Sequence, residues 1–308
     1  MPYICVRGIE HYYEWIKSEN GNLVKPVMVF IHGWAGSARY WESTAKALAN
    51  DFDCLLYDMR GFGRTRGRSP VAQATKAVAD AAAPTEQAEA IEELTYELDE
   101  YAKDLAALLD ALKIERVYLN AHSTGSSIAT LFLNLYPERV EKAILTCSGV
   151  FEYDEKAFAA FHKFGGYVVK FRPKWLAKIP FIDRIFMARF LRRSIPKRDR
   201  QAFLEDFLMA DEQAALGTMV TAVSKTAAEV MPQEFAKLTV PTLLVAGEYD
   251  QIIPVHMGRQ AAAMSDKVEF AAIANTAHFP MLEDSETYLQ QVRKFLQLKE
   301  WTNFWQKS

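Results

Sequence analysis

The sequence predicts an α/β fold with a mostly parallel central sheet, helices on both faces and an inserted helical cap. Three observations predict it. Short apolar runs recur along the chain, each too short to be a core helix. Amphipathic helical segments separate many of them, as parallel strands joined by crossover helices require. One long stretch, 151–238, breaks this rhythm and carries helical signals only.

The buried-strand candidates are Val27–Ile31, Cys54–Tyr57, Val117–Leu119, Ala143–Leu145 and Leu243–Ala246. Tyr3–Arg7 and Tyr12–Ser18 fit a hairpin at the sheet edge. The clearest helix runs from about Leu98 to Leu112, with Leu98, Tyr101, Ala102, Leu105, Leu108, Leu109 and Leu112 forming one apolar stripe. A closing helix follows Asp284, with Tyr288, Val292, Phe295 and Leu296 on one face. An Ala- and Gln-rich stretch, 66–93, has little apolar periodicity and reads as an insertion. Residues 151–238 read as several helices broken at Pro173, Pro180 and Pro196. The expected domains are a core of residues 1–150 and 239–308 and a cap of residues 151–238.

Bulk properties exclude several classes. The chain has 308 residues, 50% hydrophobic and 24% charged, so it can bury a large core without disulfide or metal staples. A net charge of −3 implies no nucleic-acid partner. Cys5, Cys54 and Cys147 lack a C-x-x-C spacing and sit in apolar runs, which suits small buried hydrophobes in a reducing compartment. The N-terminus lacks the pattern of a signal peptide, and no run is long enough to span a bilayer. The expected location is the cytoplasm.

The chemical signal is concentrated in LNAHSTGSS, residues 119–127, where a strand runs into Ser123 and a helix starts at once. Such a turn holds one side chain in a strained, exposed position, and small residues at Ala121 and Gly125 allow close backbone packing. The helix N-terminus adds amide donors and positive potential. A serine hydroxyl needs a base, and the base needs an orienting carboxylate. Of six histidines, His278 lies in ANTAHFPMLED, a loop before the closing helix. Asp250 follows the strand Leu243–Ala246 in VAGEYDQIIP. His256 and Glu248 are the competing base and acid. His256 fits a helix-capping or surface role better, because it opens the helix after Pro254.

The LNAHSTGSS segment resembles the G-x-S-x-G nucleophile elbow of the α/β-hydrolase superfamily, with Ala121 in place of the first glycine. FIHGW, residues 30–34, is similar to that family's oxyanion turn, and DMRGFGRT, residues 58–65, to its D-x-R-G-x-G-x-S turn. The order Ser, Asp, His matches as well, over about Pro26 to Phe295. The resemblance implies a triad of Ser123, Asp250 and His278. It implies an oxyanion hole from the backbone N–H groups of Trp34 and Thr124. No cofactor or metal is implied. The 58–65 turn reads as structural, anchored by Asp58 and Arg60. Some family members carry the acid one strand earlier, but here that strand ends in TCSG without a carboxylate.

The cap is rich in Phe158, Phe161, Phe164, Tyr167, Phe171, Trp175, Phe181, Phe186 and Phe190, interleaved with Lys and Arg. The plain reading is a cap packed on the core with a solvated basic face. The sharper one is an apolar acyl pocket under the cap, with a basic rim that docks on anionic lipid surfaces or binds a polar headgroup.

The expected function is hydrolysis of a carboxylic ester, on a small-molecule ester or lipid substrate. Carbon–carbon bond hydrolysis uses the same triad and stays open. Perhydrolysis fits less well, because the perhydrolases usually have Pro after the Trp where this chain has Ala35. A receptor-like binding protein with a vestigial triad is the rival from another class.

Overall fold

The computed structural model describes residues 2–18, 24–65 and 94–298. The 66–93 insertion lies outside the described residues. The strands are β1 (Tyr3–Val6), β2 (Ile9–Ile16), β3 (Val27–Ile31), β4 (Asp53–Tyr57), β5 (Val117–His122), β6 (Val140–Thr146), β7 (Thr242–Gly247) and β8 (Val268–Ile273). They form one eight-stranded sheet in the order β1-β2-β4-β3-β5-β6-β7-β8. The β1–β2 and β2–β4 pairs are antiparallel, and every pair from β4 to β8 is parallel.

The apolar runs are continuous because both faces of the sheet are covered. In β3, Val29 and Ile31 point into one core, with helices α2 (Leu98–Ala111) and α3 (Thr124–Leu135). Met28 and Phe30 point into the other, with α1 (Glu42–Leu48) and the closing helix, residues Ser285–Leu296. The two-residue period of a strand thus feeds two cores at once.

Between β6 and β7 the chain forms α4 (Glu155–Lys170), α5 (Ile182–Met187), α6 (Lys197–Met209), α7 (Glu212–Ala222) and α8 (Lys225–Ala236). After β7 come α9 (Val255–Ala262), α10 (Pro280–Glu283) and α11 (Ser285–Leu296).

Three expectations shift. The second hairpin strand is Ile9–Ile16 rather than Tyr12–Ser18, because the two-residue turn Arg7-Gly8 closes it early, with φ of +47° and +78°. Strand β8 has no counterpart among the sequence candidates. It is an edge strand, half exposed, with Glu269 inside it, so it lacks the apolar run of its neighbours. Cys5 is exposed on the edge hairpin, whereas Cys54 and Cys147 are buried. No helix among the described residues is long and apolar enough to cross a membrane.

Candidate active site

Two turns at the carboxyl edge of the sheet meet at Ser123. Strand β5 ends at His122, and Ser123 takes φ +55° and ψ −125° before α3 begins at Thr124. A non-glycine residue in this region is strained by about 1–3 kcal/mol, which the surrounding packing must sustain. Packing does so here: a Cβ on Gly125 would sit 2.4 Å from the His32 carbonyl oxygen, so only glycine lets α3 approach β3. Gly33 plays the reciprocal part, since a Cβ there would lie 3.1 Å from both Ser123 Cβ and His122 Nδ1. Trp34 therefore follows directly on the turn that abuts Ser123. Ala121, standing in the elbow's usual glycine position, is fully buried in the core.

The structure brings the three sequence-predicted side chains together. His278 Nε2 lies 3.0 Å from Ser123 Oγ, and His278 Nδ1 lies 2.7 Å from Asp250 Oδ2. Asp250 Oδ1 accepts from the Ile252 and Ile253 amides at 2.7 and 3.1 Å. Burial pushes the Asp250 carboxyl up, but the neighbouring His278 and the two amides outweigh it and hold it below the usual carboxylate range. An ionised Asp250 accepts from Nδ1–H, which leaves the Nε2 lone pair facing Ser123. The competitors fall away. His256 is exposed, and Glu248 accepts from the Asn275 amide at 2.8 Å instead of from a histidine.

The two N–H groups proposed for the oxyanion, on Trp34 and Thr124, have no hydrogen-bond acceptor among the described residues. Thr124 opens α3, so its N–H is one of the helix's orphan donors. The Trp34 indole is fixed by a 2.9 Å bond from Nε1 to the Ala215 carbonyl on α7.

Sequence reasoning missed a second layer. His122 Nε2–H donates to the His278 carbonyl at 2.7 Å, and its Nδ1 accepts from the Tyr40 hydroxyl at 3.0 Å. That hydroxyl in turn accepts from Gly33 N–H. The relay ties the Gly33–Trp34 turn to the His278 loop through the residue before Ser123. One ring nitrogen each of His122 and His278 and the sulfur of Cys147 lie within 4.8 Å of one another. Both nitrogens of each histidine are already engaged, so the cluster offers a cation no free imidazole lone pair.

Glu283 forms another support. Its Oε1 accepts from the Ala277 and Phe279 amides at 2.9 and 3.2 Å, on either side of His278. Its Oε2 accepts from the Arg192 and Arg193 amides at 2.7 and 2.8 Å. The Phe190 carbonyl accepts the His278 backbone N–H at 2.9 Å. One buried carboxylate thus stitches the His278 loop to the helical segment. His32, the histidine of the oxyanion turn, is a staple: Nε2 accepts from the Met59 amide at 2.9 Å and Nδ1–H donates to the Gly33 carbonyl at 2.8 Å. In the 58–65 turn, Asp58 accepts from the Ala38 and Arg64 amides, each at 2.8 Å, and Arg60 pairs with Asp104 at 2.8 Å.

Burial lowers the pKa of His11, His32 and His122 below the usual 6.5, farthest for His122, which His278 also disfavours. Unfolded, all three take up protons below pH 6.5; folded, they resist. Their stabilisation is therefore complete above pH 6.5 and is lost as the pH falls toward their folded values. The slope reaches about 1.4 kcal/mol per pH unit for each histidine. Urea unfolding from pH 7.5 downward is expected to show a falling midpoint below pH 6.5. His122→Gln is expected to flatten that fall, and an unchanged slope would contradict a neutral, buried His122.

The comparisons with known proteins agree with this architecture. The family profile described as "alpha/beta hydrolase fold" matches residues 26–285. The hydrolase YugF of Bacillus subtilis (strain 168) is 21% identical over 291 residues, covering 94% of this chain and 96% of that protein. The esterase EaEST from Exiguobacterium antarcticum superposes with a TM-score of 0.73 at 18% identity, covering 96% of this chain and 98% of its own. A bromoperoxidase from Bacillus anthracis gives a TM-score of 0.73 at 21% identity, covering 96% of this chain and 99% of its own. Strand order, the turn at Ser123 and the family profile converge, and the chain belongs to the α/β-hydrolase fold family.

Proposed function

We propose that the chain is a serine hydrolase of carboxylic esters, with Ser123 as nucleophile, His278 as general base and Asp250 as the orienting acid. The observation that carries this reading is the continuous line from Asp250 Oδ2 through His278 to Ser123 Oγ, at 2.7 and 3.0 Å, on a strained elbow.

His278 Nε2 takes the Ser123 proton as Oγ attacks the ester carbonyl. The imidazolium that forms faces an ionised Asp250, which stabilises it. The carbonyl oxygen becomes an oxyanion, and the unengaged N–H groups of Trp34 and Thr124 receive it. Each such donor is worth about 3 kcal/mol in the transition state. His278 then returns the proton to the leaving alcohol, and water, activated by the same His278, cleaves the acyl-enzyme.

In this reading residues 1–150 and 239–308 are the core, and residues 151–238 act as a cap. Support comes from Phe190, whose carbonyl holds the His278 backbone and whose ring centre lies 6.1 Å from that of His278. Phe186 stacks on Phe207 at 4.8 Å, and Phe207 lies 6.0 Å from Trp34. These rings favour an apolar or aromatic acyl group.

The bromoperoxidase likeness raises peroxide chemistry, and one observation speaks against it. Ala35, which follows Trp34, has φ +54°. A proline ring fixes φ near about −65° and cannot occupy that conformation. The oxyanion turn is therefore built differently from the Trp-Pro turn usual in perhydrolases.

A nitrophenyl-ester panel of increasing acyl length, run with and without hydrogen peroxide, tests the function. The expected result is turnover that rises with apolar acyl size and does not depend on peroxide. Turnover confined to peroxide-containing reactions would overturn the ester-hydrolase reading.

A further inference from the structure

The sequence leaves two readings of the large apolar residues of 158–190, plain packing of the cap on the core or an acyl pocket beneath it, and the structure divides these residues. Phe190 packs against His278 and Phe186 against Phe190 and Phe207, whereas Phe164, Tyr167, Phe171, Trp175, Phe181 and Ile185 are exposed. Phe164, Phe171 and Ile185 each keep at least 70% of their surface in contact with solvent.

Helix α4 shows the inversion most clearly. Its inner face carries His162, Gly165 and Val169. His162 Nε2 lies 2.5 Å from the Val223 carbonyl oxygen, a Cβ on Gly165 would meet Met219 Sδ at 2.5 Å, and Val169 is buried. Phe164, Tyr167 and Phe171 repeat at the same helical spacing on the opposite side. A surface helix ordinarily gives that outer stripe to polar residues. Contiguous exposed apolar area of this kind marks an interaction surface.

The charges around the stripe select its partner. Residues 156–198 hold twelve Lys and Arg and a single acid, Asp183, in a chain of net charge −3. Asp183 is buried and paired with Arg200 at 2.9 Å, so no carboxylate within 156–198 is exposed; the exposed acids Glu152, Asp154 and Glu155 sit together at the amino-terminal end of α4. Lys163, Lys170, Lys174, Lys178 and Arg189 are exposed and make no ion pair among the described residues. Exposed aromatic side chains interleaved along the chain with exposed cations match the boundary between acyl chains and anionic headgroups.

We propose that this face, formed by α4, the 171–181 segment and α5, docks on anionic lipid bilayers. The aromatic rings enter the headgroup boundary, and the lysines meet the phosphates. Docking needs no turnover, so it stands independently of the hydrolytic reading. A Ser123→Ala variant is expected to bind vesicles as the native chain does.

Co-sedimentation with vesicles of equimolar phosphatidylglycerol and phosphatidylcholine, against pure phosphatidylcholine, tests it. The expected result is binding to the mixed vesicles that is stronger by at least about tenfold and weakens with salt. The triple variant Lys170→Glu, Lys174→Glu, Lys178→Glu is expected to lose at least about a hundredfold on the mixed vesicles. Phe164→Ser, Phe171→Ser, Trp175→Ser is expected to lose binding while keeping its far-UV circular dichroism. Equal binding to both vesicle types, or no binding by the folded native chain, overturns the proposal. A concentration-dependent dimer dissolved by the aromatic triple variant would assign the face to a second copy of the chain and likewise overturn it.

Discussion

Replacing Ser123 with Ala is expected to lower ester turnover by about 10⁵- to 10⁶-fold, to little above the level that the oxyanion donors alone sustain. The size of the loss follows from the geometry. His278 Nε2 is 3.0 Å from Ser123 Oγ and hydrogen-bonds with no other hydroxyl among the described residues. Folding is expected to survive the change. Among the described residues Ser123 Oγ hydrogen-bonds only with His278, and the backbone bond from Ser123 N–H to the Thr146 carbonyl, at 2.9 Å, does not depend on the side chain. Ser123→Gly goes further. It is equally inactive, yet it relieves a φ of +55° and is expected to raise stability by about 1 kcal/mol. Activity lost with stability gained is the signature of strain held for function. Kinetics and urea unfolding on the same two variants read both sides. Substantial turnover in Ser123→Ala would place the nucleophile elsewhere.

Asp250→Asn is expected to cost about 10⁴-fold in kcat with little change in KM. Asp250 is buried and bonded to His278 Nδ1, the ring nitrogen away from Ser123, so binding is not its task. Its Oδ2 accepts from His278 Nδ1–H, while Oδ1 is occupied by the Ile252 and Ile253 amides. In the asparagine variant those two amides still require an oxygen acceptor, so the NH₂ group turns to His278. It then donates to Nδ1 and forces the ring proton onto Nε2, where it faces Ser123 and cannot act as base. A loss below about tenfold would point to another carboxylate. Glu283 is the nearest alternative in the loop, but both of its oxygens are committed to backbone amides around His278 and Arg192.

The features legible in the sequence are those written in local patterns. Strands β3 to β7 announce themselves as apolar runs because both of their faces are buried. The candidate triad, Ser123, Asp250 and His278, stands out by its turns, and the structure brings the three side chains within hydrogen-bond distance. Trp34 and Thr124 follow from the resemblance, and the structure leaves their N–H groups unengaged among the described residues. What stayed hidden depends on partners far along the chain. Tyr40 and His122 are 82 residues apart, and Glu283 reaches back 90 and 91 residues to the Arg193 and Arg192 amides. A lone tyrosine or glutamate carries no mark of such a bond. Ala35 was legible only as a departure from a Trp-Pro pattern; its positive φ is what gives the departure a physical meaning. The aromatic residues of α4 show a third kind of gap. Periodicity reveals a stripe, but it does not say which side of the stripe meets the protein.

The central claim, that Ser123 is an activated nucleophile, is tested most directly by covalent trapping. Intact-mass analysis after treatment with a fluorophosphonate, followed by peptide mapping, reads the modified residue. One adduct per chain is expected, located on Ser123, formed slowly in Asp250→Asn and absent in Ser123→Ala. No adduct on the native chain, or an adduct on another residue that persists in Ser123→Ala, would contradict it.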